Sequence, residues 1–196
     1  MIGAVVLAAG RSQRMGRAKL LLEWGGRPVI HRVVEQLLAA GVEEVVVVLG
    51  HEASAIREAL SGLPVRYVTN PNPDAGQGSS IACGIAGLSP SVEAALIVLG
   101  DQPGLPAEVI PRLIESFRQS EKSIVAPAYR GVQGNPVLFA SAVFPELRAL
   151  TGDRGARSLV EKEPTRVVTV PFALPMPPDL DTPDEYEQHR PRVNPV

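Results

Sequence analysis

Four cationic side chains, Arg11, Arg14, Arg17 and Lys19, follow Gly10 in a short run that also contains Gly16. Glycine lets backbone N–H groups approach a ligand closely, and the cations can neutralise phosphate oxygens, so the run is chemically equipped to grip a polyphosphate. The stretch Ile2 to Ala9 before it is apolar and too short for a membrane span. It reads as a buried strand that delivers the loop. Two familiar phosphate fingerprints do not fit. Arg17 and Ala18 follow Gly16 where a Walker A loop has Lys and Ser/Thr, and no Gly-x-Gly-x-x-Gly follows the strand. Ordinary P-loop ATPase and dinucleotide dehydrogenase chemistry are therefore disfavoured.

A second chemical signal is Asp101, at the end of the apolar run Ala94 to Gly100. A carboxylate at the C-terminal edge of a strand in an open α/β sheet stands where such sheets bind ligands. As a hard oxygen donor it suits Mg2+, which keeps several waters and is shared with substrate phosphates. A third signal is the run from Asn70 to Ser80, which contains Pro71, Pro73, Gly76 and Gly78. It reads as irregular, with Ser79 or Ser80 capping a helix through Ile81, Ile85 and Leu88, and a polar loop ending at a helix N-terminus can hold a nucleotide. His51 has no second His, Cys or acid at useful spacing and reads as a loop residue. Cys83 is alone, which excludes an intramolecular disulfide and a multi-cysteine metal site, and it reads as a small buried thiol.

The elements that must position these groups follow from hydrophobic periodicity. Val29, Ile30, Val33, Val34, Leu37 and Leu38 recur at helical spacing, with Gly41 as the stop. Val45 to Leu49 is too uniformly apolar for a one-sided sheet and reads as a strand covered on both faces. A helix over Glu52 to Leu60 and a strand over Val65 to Thr69 complete a β-α-β-α-β order, which predicts a parallel sheet with right-handed crossovers. Further on, the pattern predicts a helix from Pro106 to Phe117 delayed or kinked by Pro111, a strand over Ser123 to Pro127, a turn over Gly131 to Gln133, and a strand over Arg166 to Val170. Thr151 to Leu159 reads either as a salt-bridged loop starting a short helix or as a substrate-binding segment. Near the end, Thr182, Pro183 and Glu185 form a capping-box pattern.

The chain has 196 residues, enough for one substantial core, and residues 1–190 read as a single domain with residues 191–196 as a tail. Lys plus Arg number 19 and Asp plus Glu 21, a net charge of −2, which gives no case for nucleic-acid binding. With no signal-peptide pattern and no apolar segment of spanning length, a soluble, cytoplasmic protein is expected.

The run L-A-A-G-R-S-Q-R-M-G-R-A-K-L-L-L resembles the signature of the nucleotidyltransferases that include molybdenum cofactor cytidylyltransferase and its guanylyltransferase relative, the MobA-like group. G-Q-G-S-S, G-D-Q-P, G-N-P-V-L-F, G-D-R-G-A-R and D-L-D-T-P follow in the order of that family, so the resemblance covers nearly the whole chain. It implies a three-layer α/β/α, Rossmann-like nucleotidyltransferase fold with a mostly parallel central sheet. On that resemblance Leu7, Ala8, Ala9, Gly10, Arg14, Gly16 and Lys19 wrap the triphosphate, with Arg11 and Arg17 left to solvent. Asn70, Gly78, Ser79 and Ser80 lie beside the base and sugar, with Ser79 the base contact and Ser80 a cap or second contact. Asp101 and Asp181 hold Mg2+, while Lys19, Arg14 and Asp101 do the catalytic work. Gly134, Asn135 and Arg157 meet the acceptor, although Asn135 stands where relatives often carry His. L-A-A-G and G-D-Q-P favour the cytidylyltransferase branch. The implied reaction is transfer of CMP from CTP to the terminal phosphate of Mo-molybdopterin, with release of pyrophosphate and delivery of the product to a molybdoenzyme. GTP as donor, a sugar-phosphate acceptor, or a carrier without chemistry stand as alternatives.

Overall fold

The structure is a computed structural model and describes residues 1–12 and 15–191. In chain order its elements are β1 (Ile2–Ala8), β2 (Glu23–Trp24), β3 (Arg27–Pro28), α1 (Val29–Ala39), β4 (Glu44–Leu49), α2 (Ala53–Ala59), β5 (Arg66–Thr69), α3 (Gln77–Ala86) and β6 (Ala94–Leu99). They continue with α4 (Val109–Gln119), β7 (Ile124–Tyr129), β8 (Val132–Gln133), β9 (Val137–Ala140), α5 (Phe144–Arg148), α6 (Arg157–Lys162), β10 (Val167–Phe172) and α7 (Pro183–His189). The main sheet runs β10-β7-β9-β6-β1-β4-β5, with β8 paired to β7. β1 pairs in parallel with both β4 and β6, β4 with β5, and β10 with β7. β9 is inserted antiparallel between β6 and β7.

The buried strands lie between two apolar layers, as their sequences require. In β4, Val45, Val47 and Leu49 join the core under α1, α4 and α7, whereas Val46 and Val48 join the core under α3, α5 and α6. The fold is therefore a mostly parallel sheet with helices on both faces. α3 lies so close to the sheet that a Cβ on Gly84 would stand 2.1 Å from Val5 Cγ1 and 2.9 Å from Val48 Cγ2. Gly84→Ala is expected to destabilise the protein by about 1–3 kcal/mol through overpacking. A lowered midpoint of urea unfolding with an unchanged slope would record it.

Several sequence readings need correction. α3 begins at Gln77, inside the stretch read as irregular, and its N-cap is Gly76, with no side-chain cap. Ser79 and Ser80 thus lie within the helix, and Ser80 is not a cap. Gly76 holds φ at +93°, and a Cβ there would come 2.4 Å from the Gly152 carbonyl carbon, so the Gly152 backbone and the Asp153 side chain occupy the space a capping side chain would need. Val132 and Gln133, read as part of a turn, form β8 against β7. The hairpin β2–β3 was absent from the sequence reading. Pro111 falls in the first turn of α4, so it delays the helix instead of kinking it.

Candidate functional site

Two connections leave β1's neighbourhood in opposite directions. The chain passes from β1 outward through β4 to β5, then returns to β6 on the other flank of β1. Strand order reverses between β1 and β6, and a crevice opens beyond their carboxyl ends, the usual ligand position in open α/β sheets. A cleft of about 720 Å³ occupies this position, with Gly10, Lys19, Gly76, Ser80, Asp101 and Asp181 among its walls.

The loop after β1 is pinned at points that aim Lys19. Met15 and Leu20 are buried in the core on either side of the turn, and Ser12, in the left-handed region at φ +51°, accepts a hydrogen bond at its hydroxyl from the Lys19 backbone N–H at 3.3 Å. Lys19 Nζ donates to Asp101 Oδ2 and, at 2.9 Å, to Asp181 Oδ1. Asp101 comes from the turn after β6 and Asp181 from the approach to α7, 80 positions later in the chain. Desolvation pulls the Lys19 ammonium downward, but the charges and hydrogen bonds of the two aspartates outweigh it and hold it above its ordinary range. The same ammonium marks a point toward which two carboxylates converge. Among the described residues no group of three or more His, Cys, Asp or Glu forms a metal cage. The donor set therefore fits a hard divalent ion that draws its remaining ligands from phosphates and water.

The pattern of the MobA-like NTP transferase domain matches residues 4–167. The chain belongs to that family. The MobA-like transferase is 33% identical over 172 residues to nicotine blue oxidoreductase from Paenarthrobacter nicotinovorans, with 83% of each chain covered. Rv0371c from Mycobacterium tuberculosis H37Rv superposes with a TM-score of 0.83 at 31% identity, covering 95% of this chain and 96% of that one. Rv0371c has also been solved in complex with manganese. A nucleotidyl transferase from Methanothermobacter thermautotroptrophicus matches with a TM-score of 0.83 at 29% identity, covering 97% of this chain and 96% of that one.

Not every expected residue of this transferase faces the cleft. Leu7, Ala9, Gly10, Lys19, Ser80, Asp101 and Asp181 do. Arg14 lies outside the described residues. Ala8 is buried in the core, and Gly16 sits at φ +67° on the loop. Asn70 is buried behind the wall, where its amide donates to Ser79 Oγ at 2.9 Å and Ser80 Oγ at 3.0 Å, while its Oδ1 accepts from Asn72 N–H. Ser79 Oγ in turn donates to the Gly76 carbonyl at 2.8 Å. Gly78 N–H is taken by the Gly152 carbonyl at 2.9 Å, so residues 150–153 are packed onto the start of α3. Asn70, Gly78 and Ser79 therefore shape the wall from behind.

Arg11 and Arg17 are exposed, as expected, but each has a partner. Arg11 forms a bidentate pair with Asp74 across the cleft mouth, with His51 Nε2 3.3 Å from Asp74 Oδ1. That hydrogen bonding, chiefly from Arg11, holds the Asp74 carboxyl below the usual carboxylate range. Arg17 lies over the Tyr186 ring of α7 at 5.7 Å, tying the loop to the element that follows Asp181. His51 thus gains an acidic partner 23 residues away, beyond what spacing could reveal. Asp74, Gln77 and Asp153 also line the cleft; they lie in runs that the sequence marks, but none of the three is singled out there as a site residue.

On the other flank, the pairing of Ile97 with Val137 brings residues 134–136 to the sheet edge that carries Asp101. The buried Tyr129 hydroxyl donates to the Asn135 carbonyl at 2.8 Å, and burial pushes that phenol far above its ordinary value, so it remains a donor. Arg157 stands apart from the cleft walls. It is exposed on α6, where Glu161 accepts hydrogen bonds from both Arg157 at 2.8 Å and Arg154 at 2.6 Å. This is the salt-bridged loop and short helix that the sequence allowed.

Proposed function

We propose that this transferase moves CMP from CTP to the terminal phosphate of Mo-molybdopterin and releases pyrophosphate, with Mg2+ as the metal. The observation that carries the reading is the convergence of Lys19, Asp101 and Asp181 on one point at the switch-point cleft. Mg2+ held by Asp101 and Asp181 would supply charge neutralisation at the phosphates and an orientation for the α-phosphorus. Lys19 would move from the carboxylates to the phosphoryl oxygens, where a desolvated cation stabilises developing charge. Arg14 is assigned to the same task by its place in the signature. The backbone after Leu7 leads the triphosphate along Gly10 and Gly16, while Ser80 faces the nucleoside side, with Asn70, Gly78 and Ser79 supporting it. Gly134 and Asn135 share the sheet edge with Asp101 and are assigned to the acceptor. Arg157 is assigned to an anionic group of the acceptor, for which it would leave Glu161.

A phosphate monoester needs no protein base, because its second pKa is about 6 and it is mostly a dianion at neutral pH. The protein's work is then alignment and charge neutralisation. The manganese complex of Rv0371c supports the use of a divalent metal. L-A-A-G and G-D-Q-P support cytosine over guanine, and product delivery would go to a molybdoenzyme. The name of the Paenarthrobacter relative, nicotine blue oxidoreductase, brings in oxidoreduction as a second reading. Purified protein with Mg2+, molybdopterin and each of the four triphosphates should release pyrophosphate with CTP in at least tenfold preference to the others, by an order-of-magnitude expectation. Preference for GTP would refute the cytidylyl assignment. Pyrophosphate release with a sugar phosphate but not the pterin would refute the acceptor. Protein-dependent oxidation or reduction of nicotine blue, without pyrophosphate release from any triphosphate, would favour the second reading.

A further inference from the structure

Gln102 and Asp179 belong to the G-D-Q-P and D-L-D-T-P runs, yet neither has a task in the reading above. Gln102 is 7% exposed, and its amide donates to Asp179 Oδ1 at 2.7 Å and to the Pro177 carbonyl at 3.5 Å. One residue further, Leu180 N–H donates to the Asp101 carbonyl at 3.4 Å, and the Leu180 side chain is fully buried. The segment 177–181 has no helix or strand of its own, so these bonds, together with the buried Leu180 side chain, seat it against the turn after β6. A buried amide left unpaired costs about 1–3 kcal/mol, a cost that the acceptors on Asp179 and Pro177 offset for Gln102. On the far side, Asp181 N–H donates to Glu185 Oε2 at 3.1 Å, within the capping box of α7. Asp181 is therefore held between the Gln102 tether and a helix cap.

We propose that Gln102 is a positioning residue that acts through Asp179 to hold the Asp181 carboxylate opposite Asp101, so that the metal–triphosphate complex meets two carboxylates at a fixed separation. This rests on the reading that Asp101 and Asp181 hold the metal.

The test is calorimetric titration, without acceptor, of the Mg2+ complexes of CTP and GTP and of the same nucleotides in EDTA. Gln102→Leu and the surface variant Asp179→Ala are each expected to weaken the Mg2+ complex about tenfold, the effect of losing a partner that orients a ligand, while metal-free nucleotide binds as to wild type. Asp179→Asn, which keeps an acceptor for the Gln102 amide, is expected to stay within about threefold of wild type. In an Asp181→Asn background, Gln102→Leu should cost less than about a further twofold. Additive losses in that cycle, equal loss of metal-free binding, or Asp179→Asn failing as badly as Asp179→Ala would overturn the tether alone. An Asp181→Asn protein that binds the Mg2+ complex as wild type does would overturn the metal reading and the tether with it. Because Asp179 is exposed on its other side, its variants carry the test even if Gln102→Leu does not fold.

Discussion

Lys19→Met is expected to have opposite effects on catalysis and on metal binding. Pyrophosphate release should fall by about 10²–10³-fold, the cost of removing one preorganised donor from developing phosphoryl charge. Binding of Mn2+ in the absence of nucleotide should instead strengthen, on the order of tenfold. The reason is that Lys19 Nζ already sits between Asp101 and Asp181 and is shielded there, with its side chain 16% exposed. A divalent ion arriving alone must displace this ammonium or share the space with it. Two like charges a few Å apart repel by several kcal/mol at an effective dielectric of about 20, and most of that is relieved when the lysine swings away, which leaves an effect nearer tenfold. A triphosphate gives the displaced ammonium a new partner, so nucleotide and metal should bind cooperatively in the wild type. The part of that cooperativity due to Lys19 should be lost in Lys19→Met and persist in Lys19→Arg, leaving the part that comes from the phosphates ligating the metal. Titration of free Mn2+ by its electron paramagnetic resonance, with and without CTP, reads both quantities. Weaker Mn2+ binding in the Met variant without nucleotide would show that Lys19 supports the metal position instead of competing for it.

What the sequence revealed of this site was local. The strand from Ile2, the glycines after it and the aspartate after the β6 run are each announced by a few neighbouring residues, because a buried parallel strand is apolar throughout and its end must be marked. The capping box at Thr182 is equally local and is present as read. The failures are contacts made across the chain. Gly76 caps α3 because Gly152 and Asp153, far along the chain, crowd it, and no short pattern around Ser79 and Ser80 carries that information. The pairing of Arg11 with Asp74 spans 63 residues and that of Gln102 with Asp179 spans 77. β8 escaped notice because its two residues are exposed and too few for any alternation to appear. β9, only four residues long, was not marked as a strand by its sequence, and still less as the antiparallel insertion that carries Asn135 to the edge bearing Asp101. Most of the strands, most of the helices and the glycine-bearing loop after β1 are therefore readable from periodicity and glycine placement, whereas the electrostatic wiring of the cleft depends on which distant loops meet.

The two aspartates should not be equivalent to mutation. Asp101 follows directly on β6, a central strand flanked by β1 and β9, and its carbonyl also accepts the Leu180 N–H, so its position is fixed by the sheet. Asp181 arrives on a segment that must be tethered to it, and its side chain is more exposed, 26% against 15%. Asp101→Asn removes a charge from the better fixed and better desolvated position, and pyrophosphate release is expected to fall by about 10³-fold with little recovery at high Mg2+. Both Asn variants keep an amide oxygen that can ligate a hard cation, but at the more exposed Asp181 water can more readily make up for the lost charge. The loss in Asp181→Asn is expected to be about tenfold to 10²-fold and to be largely restored as Mg2+ is raised, because the defect is in affinity and not in the geometry of the bound state. Steady-state rates over a Mg2+ series at saturating CTP distinguish the two. Equal losses with equal rescue would mean that the metal does not discriminate between the strand-borne and the tethered carboxylate. The asymmetry drawn from their settings in the fold would then be wrong.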